Sequence, residues 1–524
     1  PLKPLHMKAA FYMYKMARAA NFSVPGAGKT DMVLGVFAYL NSGRTMNGES
    51  ISRILVISPI NAFESWKREF VEAFGPKKPL KNVIDVQEKG FDGDIRRNWA
   101  SSNLVLVNYE SLPRYGRQLH DLIDDQTMVV FDEVHRIKGI GAVRAQTALR
   151  LSDKAMFRYV LTGTPIPNSY RDVYNFLHIL YAKEYDAFFG WAPTDLDDPG
   201  RYDVDRINDR LYPFFWRTNK EQLGVPPADP DDVIDVQASD QQLELAESIW
   251  GTERSSLARL IRLMQVSTNP ELLNDRIDYD VLGLDDDDQS GSNPDREDFR
   301  RALEGTDSPA VSGPVRDYDS FDLRHMAVPK FDKGIDVVRD IVASGRKVIV
   351  WGVFVRTLEK IQRRLGELGV SSALVYGATP IPKRTRQVDE FLRLDSGIDV
   401  LISNPQTLGE SISLHRTVHD AVYFEFTYNL TYMLQSRDRI HRLGLEPGQH
   451  TRYHLLETVN NPTAYGFIDA RVYQRLREKE RIMRNAIDGD ILKPEFTGDV
   501  LQEIRKLIDE ERRRIAELKR SRGI

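Results

Sequence analysis

The sequence predicts an α/β protein made of two parallel-sheet lobes with helical insertions and an acidic linker loop. Three observations carry that prediction. Short apolar runs bounded by polar turns alternate with helical patterns in two separate series. The first series contains a phosphate-cradling loop, Ser23-Val-Pro-Gly-Ala-Gly-Lys-Thr30. It also contains an apolar strand, Met128 to Asp132, that ends in two adjacent carboxylates, Asp132 and Glu133.

Taken in order, Leu2 to Ala10 opens a helix just ahead of the loop. In the loop, Gly26, Ala27 and Gly28 bring backbone N–H groups towards phosphate oxygens, Lys29 reaches the β- and γ-phosphates, and the Thr30 hydroxyl suits magnesium. Asp31 to Leu40 fits a helix whose positive dipole end faces the anion. The loop departs from the usual pattern in one place, since Ser23 occupies its first position in place of glycine. The strands of the first series are Ile54–Ser58, Leu104–Tyr109, Met128–Asp132 and Tyr159–Gly163. At the end of the third, Asp132 can hold the metal while Glu133 orients the attacking water. Together these features predict a nucleoside-triphosphate site.

The first lobe is expected over 1–182, with a helical, aromatic-rich insertion over 183–225. A hinge, a helical segment and the acidic loop around Asp285–Asp288 fill 226–330. The second strand–helix series, 331–480, has strands at Lys347–Gly352, Ala373–Gly377, Asp399–Ser403, Ala421–Phe426 and Arg452–Glu457. A charged helical tail, 481–524, carries an apolar stripe that includes Leu501, Ile504, Leu507 and Ile508.

Composition narrows the chemistry. The chain has no Cys, which excludes disulfides, thiolate metal sites and cysteine nucleophiles. No apolar run approaches the roughly 18 residues of a membrane span. A net charge of −5 gives no general attraction to nucleic acid, so any binding depends on a local basic groove. The His residues are scattered, which disfavours a metallonuclease. In the second series, Gln435 to Gly444 places Arg439 and Arg442 three residues apart, on one face if the segment is helical. Two guanidiniums so placed suit the charge that builds up on a transferring γ-phosphoryl group.

The ordered blocks Val24–Thr30, Ser58–Trp66, Val107–Leu112, Asp132–Lys138, Leu161–Asn168 and Gln435–Gly444 resemble helicase superfamily two. Asp-Glu-x-His at 132–135, Leu-Thr-Gly-Thr-Pro at 161–165, Trp216–Lys220 and Leu263–Pro270 are similar to its SWI/SNF-type DNA-translocating ATPases. The resemblance implies two RecA-like lobes, ATP and Mg2+ as cofactors, and double-stranded DNA gripped through its backbone. It implies Lys29 and Thr30 on phosphate and magnesium, Asp132 on the metal, Glu133 on the water, and Arg439 and Arg442 as arginine fingers. His135 and Gln435 would couple at the γ-phosphate, and Thr162 and Thr164 would link nucleotide state to the DNA groove. Ser58, Asn108 and Tyr109 in the first lobe, and Phe354, Arg356, Ser403 and Thr407 in the second, would touch the DNA backbone. His6 stands where the family places an adenine-reading Gln, which loosens the expected preference for ATP. The expected activity is DNA-stimulated ATP hydrolysis coupled to movement along duplex DNA by a monomer targeted by protein partners, nucleoid-associated or nuclear. The alternatives are a strand-separating DNA or RNA helicase and a nucleotide-switched binding scaffold.

Overall fold

The computed structural model describes residues 2–46, 48–77, 79, 81, 83–137, 139–163, 165, 170–197, 201–253, 256–278, 318, 320–408, 412–460, 466–488 and 500–522. The chain divides into two compact units, the first running to Gly224 and the second opening at Val225.

The first unit holds a seven-stranded sheet in the order β3-β4-β2-β5-β6-β1-β7. Its strands are β1 (Arg18–Asn21), β2 (Arg53–Ile57), β3 (Ile84–Asp85), β4 (Leu104–Val107), β5 (Thr127–Asp132), β6 (Arg158–Leu161) and β7 (Phe215–Trp216). Every pairing is parallel. Successive side chains point to opposite faces of a strand. Accordingly Leu55, Ile57, Val129 and Phe131 enter one apolar cluster, and Ile54, Val56, Met128 and Val130 enter the other. Both faces are therefore covered, which is why these strands read as continuous apolar runs. Helix Lys29–Asn41 buries Met32, Val33, Val36 and Phe37 on one face, in the same cluster as Trp66 and Phe70 of helix Phe63–Phe74.

The second unit holds a six-stranded parallel sheet in the order β10-β11-β9-β12-β13-β8. Its strands are β8 (Asp232–Gln237), β9 (Lys347–Trp351), β10 (Ser372–Val375), β11 (Val400–Ser403), β12 (Val418–Tyr423) and β13 (Arg452–Val459). Helix Ser256–Thr268 is buried on all sides from Leu257 onwards. Several of its polar side chains are bonded inside the unit. Arg262 Nη1 reaches Gln265 Oε1 at 2.9 Å, and the Ser267 hydroxyl donates to Asp469 at 2.6 Å. The tail helix, Val500–Arg522, packs against it and buries Ile504, Leu507 and Ile508.

Four strands depart from the sequence expectation. β1 has only two alanines between Arg18 and Asn21, so it carries no apolar signal. β3 and β7 are two residues each. β7 falls in the stretch read as insertion, yet it pairs with β1 and closes the first sheet. β8 falls in the stretch read as hinge, yet it pairs with β13 over six residues. Ile234 and Val236 are half-buried while Val233, Asp235 and Gln237 are exposed, which suits an edge strand with one wet face. The acidic run Asp285–Asp288 lies outside the described residues.

The Lys330 ammonium is 2% exposed and meets Asp469 at 2.6 Å and Ser267 Oγ at 2.9 Å. Lys330→Met leaves Asp469 as an uncompensated buried charge, so urea unfolding should show a loss of about 3 kcal/mol or more.

Candidate nucleotide site and nucleic-acid segments

Because the sheet is parallel, the carboxyl ends of β1, β5 and β6 lie along one edge, where α/β folds collect their ligands. Register sets Asp132 opposite Leu161, and Leu161 opposite Asn21. At about 4.8 Å per strand, the acid strand and the strand feeding the phosphate loop are only about 10 Å apart. Thr162 stands between them. Its amide donates to Asn21 O at 3.1 Å, and its hydroxyl lies 3.1 Å from His135 Nδ1.

The phosphate loop leaves β1 through a turn in which the Ser23 amide donates to Asn21 Oδ1 at 3.0 Å. Gly26 and Gly28 take φ of +77° and +78°, a region that suits only glycine. A Cβ on Gly28 would come within 2.7 Å of the His6 ring, and one on Gly163 within 2.5 Å of Pro25. Ala27 is fully buried beneath the loop, and helix Lys29–Asn41 starts from Gly28 with no side-chain cap. Its first N–H groups are thus not taken by a capping side chain. Lys29 Nζ folds back onto Ser23 O at 3.1 Å. His6 is 3% exposed, its Nδ1 is 4.0 Å from Asp31, and burial lowers its proton affinity, so it is neutral at neutral pH.

The acid pair is braced on several sides. Asp132 Oδ2 accepts Trp66 Nε1–H at 3.0 Å, and Oδ1 accepts the Glu133 amide at 3.1 Å. The Tyr109 hydroxyl donates to Asp132 O at 2.7 Å. Glu133 has φ of +52°, an uncommon conformation for a residue with a Cβ, and its Oε2 sits 3.3 Å from His135 Nδ1. Burial and the neighbouring Glu133 charge push the Asp132 carboxyl up to about 6. Burial acts on Glu133 in the same sense, but His135, Lys29 and Arg136 outweigh it and hold the group down at about 2. The Lys29 ammonium lowers the proton affinity of both acids, so the loop and the acid strand share one electrostatic site.

In the second unit the arginine segment differs from expectation. Helix Leu430–Arg437 ends before Arg439, so Arg439 and Arg442 lie on turns and not on a helix face. The cause is local. Arg439 Nε takes the Gln435 carbonyl at 2.9 Å, the acceptor that the next helical amide would use. The pair is still brought together, since Arg439 Nη1 reaches Ile412 O at 2.8 Å and Arg442 Nη1 reaches Ser413 Oγ at 2.6 Å. Gln435 is 4% exposed beneath them.

The residues read as DNA contacts divide sharply. Arg356 has a half-exposed side chain, paired with Asp275. Ser58, Tyr109 and Ser403 are buried, and so are Asn108, Phe354 and Thr407. The Tyr109 ring is in the core and its hydroxyl braces Asp132, so its side chain serves the acid strand. The Ser58 and Ser403 hydroxyls turn inward to Pro59 O and Val375 O at strand ends. Asn108 Nδ2 donates to Glu110 at 2.6 Å and so shapes its own turn. Thr164 lies outside the described residues. Sequence reasoning missed Glu425, whose carboxylate accepts the amides of Val353 and Phe354 at 2.8 and 3.0 Å and fixes the 352–356 segment. It also gave Trp66 and Thr218 no role, although both lie in the quoted blocks.

Two family models match the chain: the SNF2-related domain over residues 23–269 and the helicase conserved C-terminal domain over 332–444. One relative is the SWI/SNF-related matrix-associated actin-dependent regulator of chromatin subfamily A containing DEAD/H box 1 homolog of Caenorhabditis elegans. It is 22% identical across 92% of this chain and 50% of its own length. Another is the probable global transactivator of Orgyia pseudotsugata multicapsid polyhedrosis virus, 22% identical across 90% of this chain and 88% of its own. The chain thus spans about half the length of the first of these. A Sulfolobus solfataricus SWI2/SNF2 ATPase core solved in complex with dsDNA aligns over 97% of both chains at 19% identity, with a TM-score of 0.39.

The residues fit a triphosphate and a divalent cation. Two left-handed glycines shape the loop, its lysine is within it, and the Thr30 hydroxyl and the half-buried Asp132 carboxylate offer the hard oxygen donors that magnesium prefers. Without a cation, ionised Asp132 is a liability. Its folded proton affinity is raised, so stability is lost as pH climbs from the unfolded carboxyl value, about 4, through about 6. Asp132→Asn gives up one of the two acceptors at every pH, so the difference in melting temperature between variant and wild type should move in the variant's favour from about pH 4.5 to about pH 7.5. Scanning calorimetry of the metal-free protein at both pH values checks this.

Proposed function

Since the chain belongs to the SWI/SNF-type ATPases of helicase superfamily two, we propose that it is a DNA-dependent ATPase that moves along double-stranded DNA and remodels protein–DNA complexes. One observation carries the reading: Lys29, Asp132, Glu133, His135 and Thr162 meet at one edge of one sheet. When bound, Mg-ATP supplies the leaving group and the electrophilic phosphorus. Lys29 would leave Ser23 O to meet the phosphates, and Thr30 and Asp132 would hold the metal. Glu133 is ionised at neutral pH, and His135 fixes its orientation. So weak a base serves to aim a water more than to abstract its proton, as phosphoryl transfer with its loose transition state requires. Gln435, Arg439 and Arg442 would complete the γ-phosphate surroundings, and Thr162 and Thr164 would report nucleotide state to the DNA groove.

Arg356, at the end of the segment that Glu425 fixes by taking the Val353 and Phe354 amides, supports backbone gripping of DNA, since a guanidinium reads phosphate without sequence. Neutral His6 offers one donor and one acceptor on different edges of its ring, so it cannot clamp one base edge as a carboxamide does. Protein partners would supply targeting, in a nucleoid or a nucleus.

Lys29→Ala and Glu133→Gln should each cut duplex-stimulated ATP hydrolysis by about a hundredfold or more, and stimulation in the wild type should fall as salt rises. Steady-state assays with duplex, single-stranded DNA and RNA at two salt concentrations measure this. A wild-type rate indifferent to nucleic acid would leave only a scaffold. Triplex displacement without fork unwinding identifies the translocase, and efficient fork unwinding a helicase. His6→Gln should sharpen the ratio of kcat/KM for ATP over GTP, and an unchanged ratio would remove His6 from base recognition.

A further inference from the structure

The segment that leaves the first unit is bonded to the phosphate loop at one end and to the arginine segment at the other. β7 runs beside β1 and continues along the loop. Phe22 N donates to Trp216 O at 2.8 Å, and Val24 N donates to Thr218 O at 3.1 Å. Arg217 Nη1 donates to Phe22 O at 2.9 Å. Ser23 is fully buried and its Oγ accepts the Thr218 amide at 3.0 Å. Glycine, the residue usual at that position, has no atom to offer there. The carbonyl of the same Ser23 receives the Lys29 ammonium. One residue thus holds the phosphate-binding lysine through its backbone and the departing segment through its side chain.

Beyond Thr218 the chain closes into a capped turn. Asn219 N donates to Gln222 Oε1 at 3.0 Å, Gln222 N to Asn219 Oδ1 at 2.8 Å, and Gly224 N to Glu221 O at 2.9 Å. Val225 is the first residue of the second unit. One residue later, Pro226 O accepts His441 Nε2–H at 2.7 Å. His441 lies in sequence between Arg439 and Arg442, and it is 8% exposed. The next residues are pinned within the second unit, Asp229 N to Thr451 O at 2.9 Å and Asp231 to Arg437 at 2.7 Å.

We infer that residues 218–226 are a strap between the two halves of the ATPase machinery, with Ser23 and His441 as the positioning residues that latch its ends. When Lys29 turns from Ser23 O to a phosphate, Ser23 is freed to shift. The Thr218 amide shifts with it, and the short turn carries the change to Pro226 and so to the arginine segment. This rests on the nucleotide-site reading above.

The test is hydrogen–deuterium exchange on the full chain, with and without magnesium and either ADP or a non-hydrolysable ATP analogue, for the wild type, Ser23→Ala, Ser23→Thr and His441→Phe. In the wild type, nucleotide should change exchange in a peptide covering 23–30 and, by about fivefold or more, in one covering 217–226. In Ser23→Ala the 23–30 peptide should still respond while the 217–226 response is lost. Ser23→Thr, which keeps the hydroxyl, should restore it. His441→Phe should keep the response of both peptides and lose it around 435–442. Equal responses of 217–226 in wild type and Ser23→Ala would overturn the strap, as would a wild type whose loop responds while 217–226 stays still. Absence of any response at 23–30 in the wild type would instead sink the nucleotide-site reading, and the strap with it. Thermal melts identify any variant that fails to fold, and Ser23→Thr then carries the decision through presence or absence of the 217–226 response.

Discussion

Everything in the first unit depends on the carboxyl-end row of β5, β6 and β1. The register Asp132–Leu161–Asn21 is what lets one threonine touch both neighbours, with its amide on Asn21 and its hydroxyl at His135. A slip of one residue in either pairing would turn every side chain to the opposite face and separate the loop from its acids. Apolar residues on both faces of these strands prevent that slip. The core therefore acts on chemistry indirectly, by fixing register.

The site stores unfavourable local energy that the rest of the unit holds in place. Glu133 sits in the left-handed region, which costs a residue with a Cβ about 1–2 kcal/mol. Two adjacent half-buried carboxylates add repulsion, while Trp66 donates to the Asp132 carboxylate, Tyr109 donates to the Asp132 carbonyl and His135 lies against the Glu133 carboxylate. Such strain persists only where surrounding packing over-determines it. Trp66 and Tyr109 meet that condition at 1% exposure each.

Much of this was legible in the residues, and for identifiable reasons. Interior strands such as β2, β4, β5 and β9 are covered on both faces, so each reads as an unbroken apolar run. The loop glycines, Lys29 and the acid pair were legible because phosphate chemistry demands those residue types at those spacings. What sequence hid was short or half-wet. β1 has two alanines for a signal, β7 two residues, and β8 a short half-wet run of Asp, Val and Ile directly after a proline-rich stretch. The helix expected through Arg439 failed because a side chain competes for a backbone acceptor, which no propensity records. The inward turn of Tyr109, Ser58 and Ser403 was equally hidden, since a polar residue at a strand end reads the same whether it faces solvent or its own loop.

β8 has a practical consequence for anyone dissecting the chain. It lies on the outer side of β13, whose six residues His454 to Val459 pair with it along their length. A fragment begun at the helix Pro329–Ala343, where the second strand–helix series starts, would strip that neighbour away and expose a bare row of amides and carbonyls. Chains with such an open flank zip to one another. Soluble expression of the carboxyl-terminal half thus calls for a start upstream of Asp232, inside what composition alone would trim as linker.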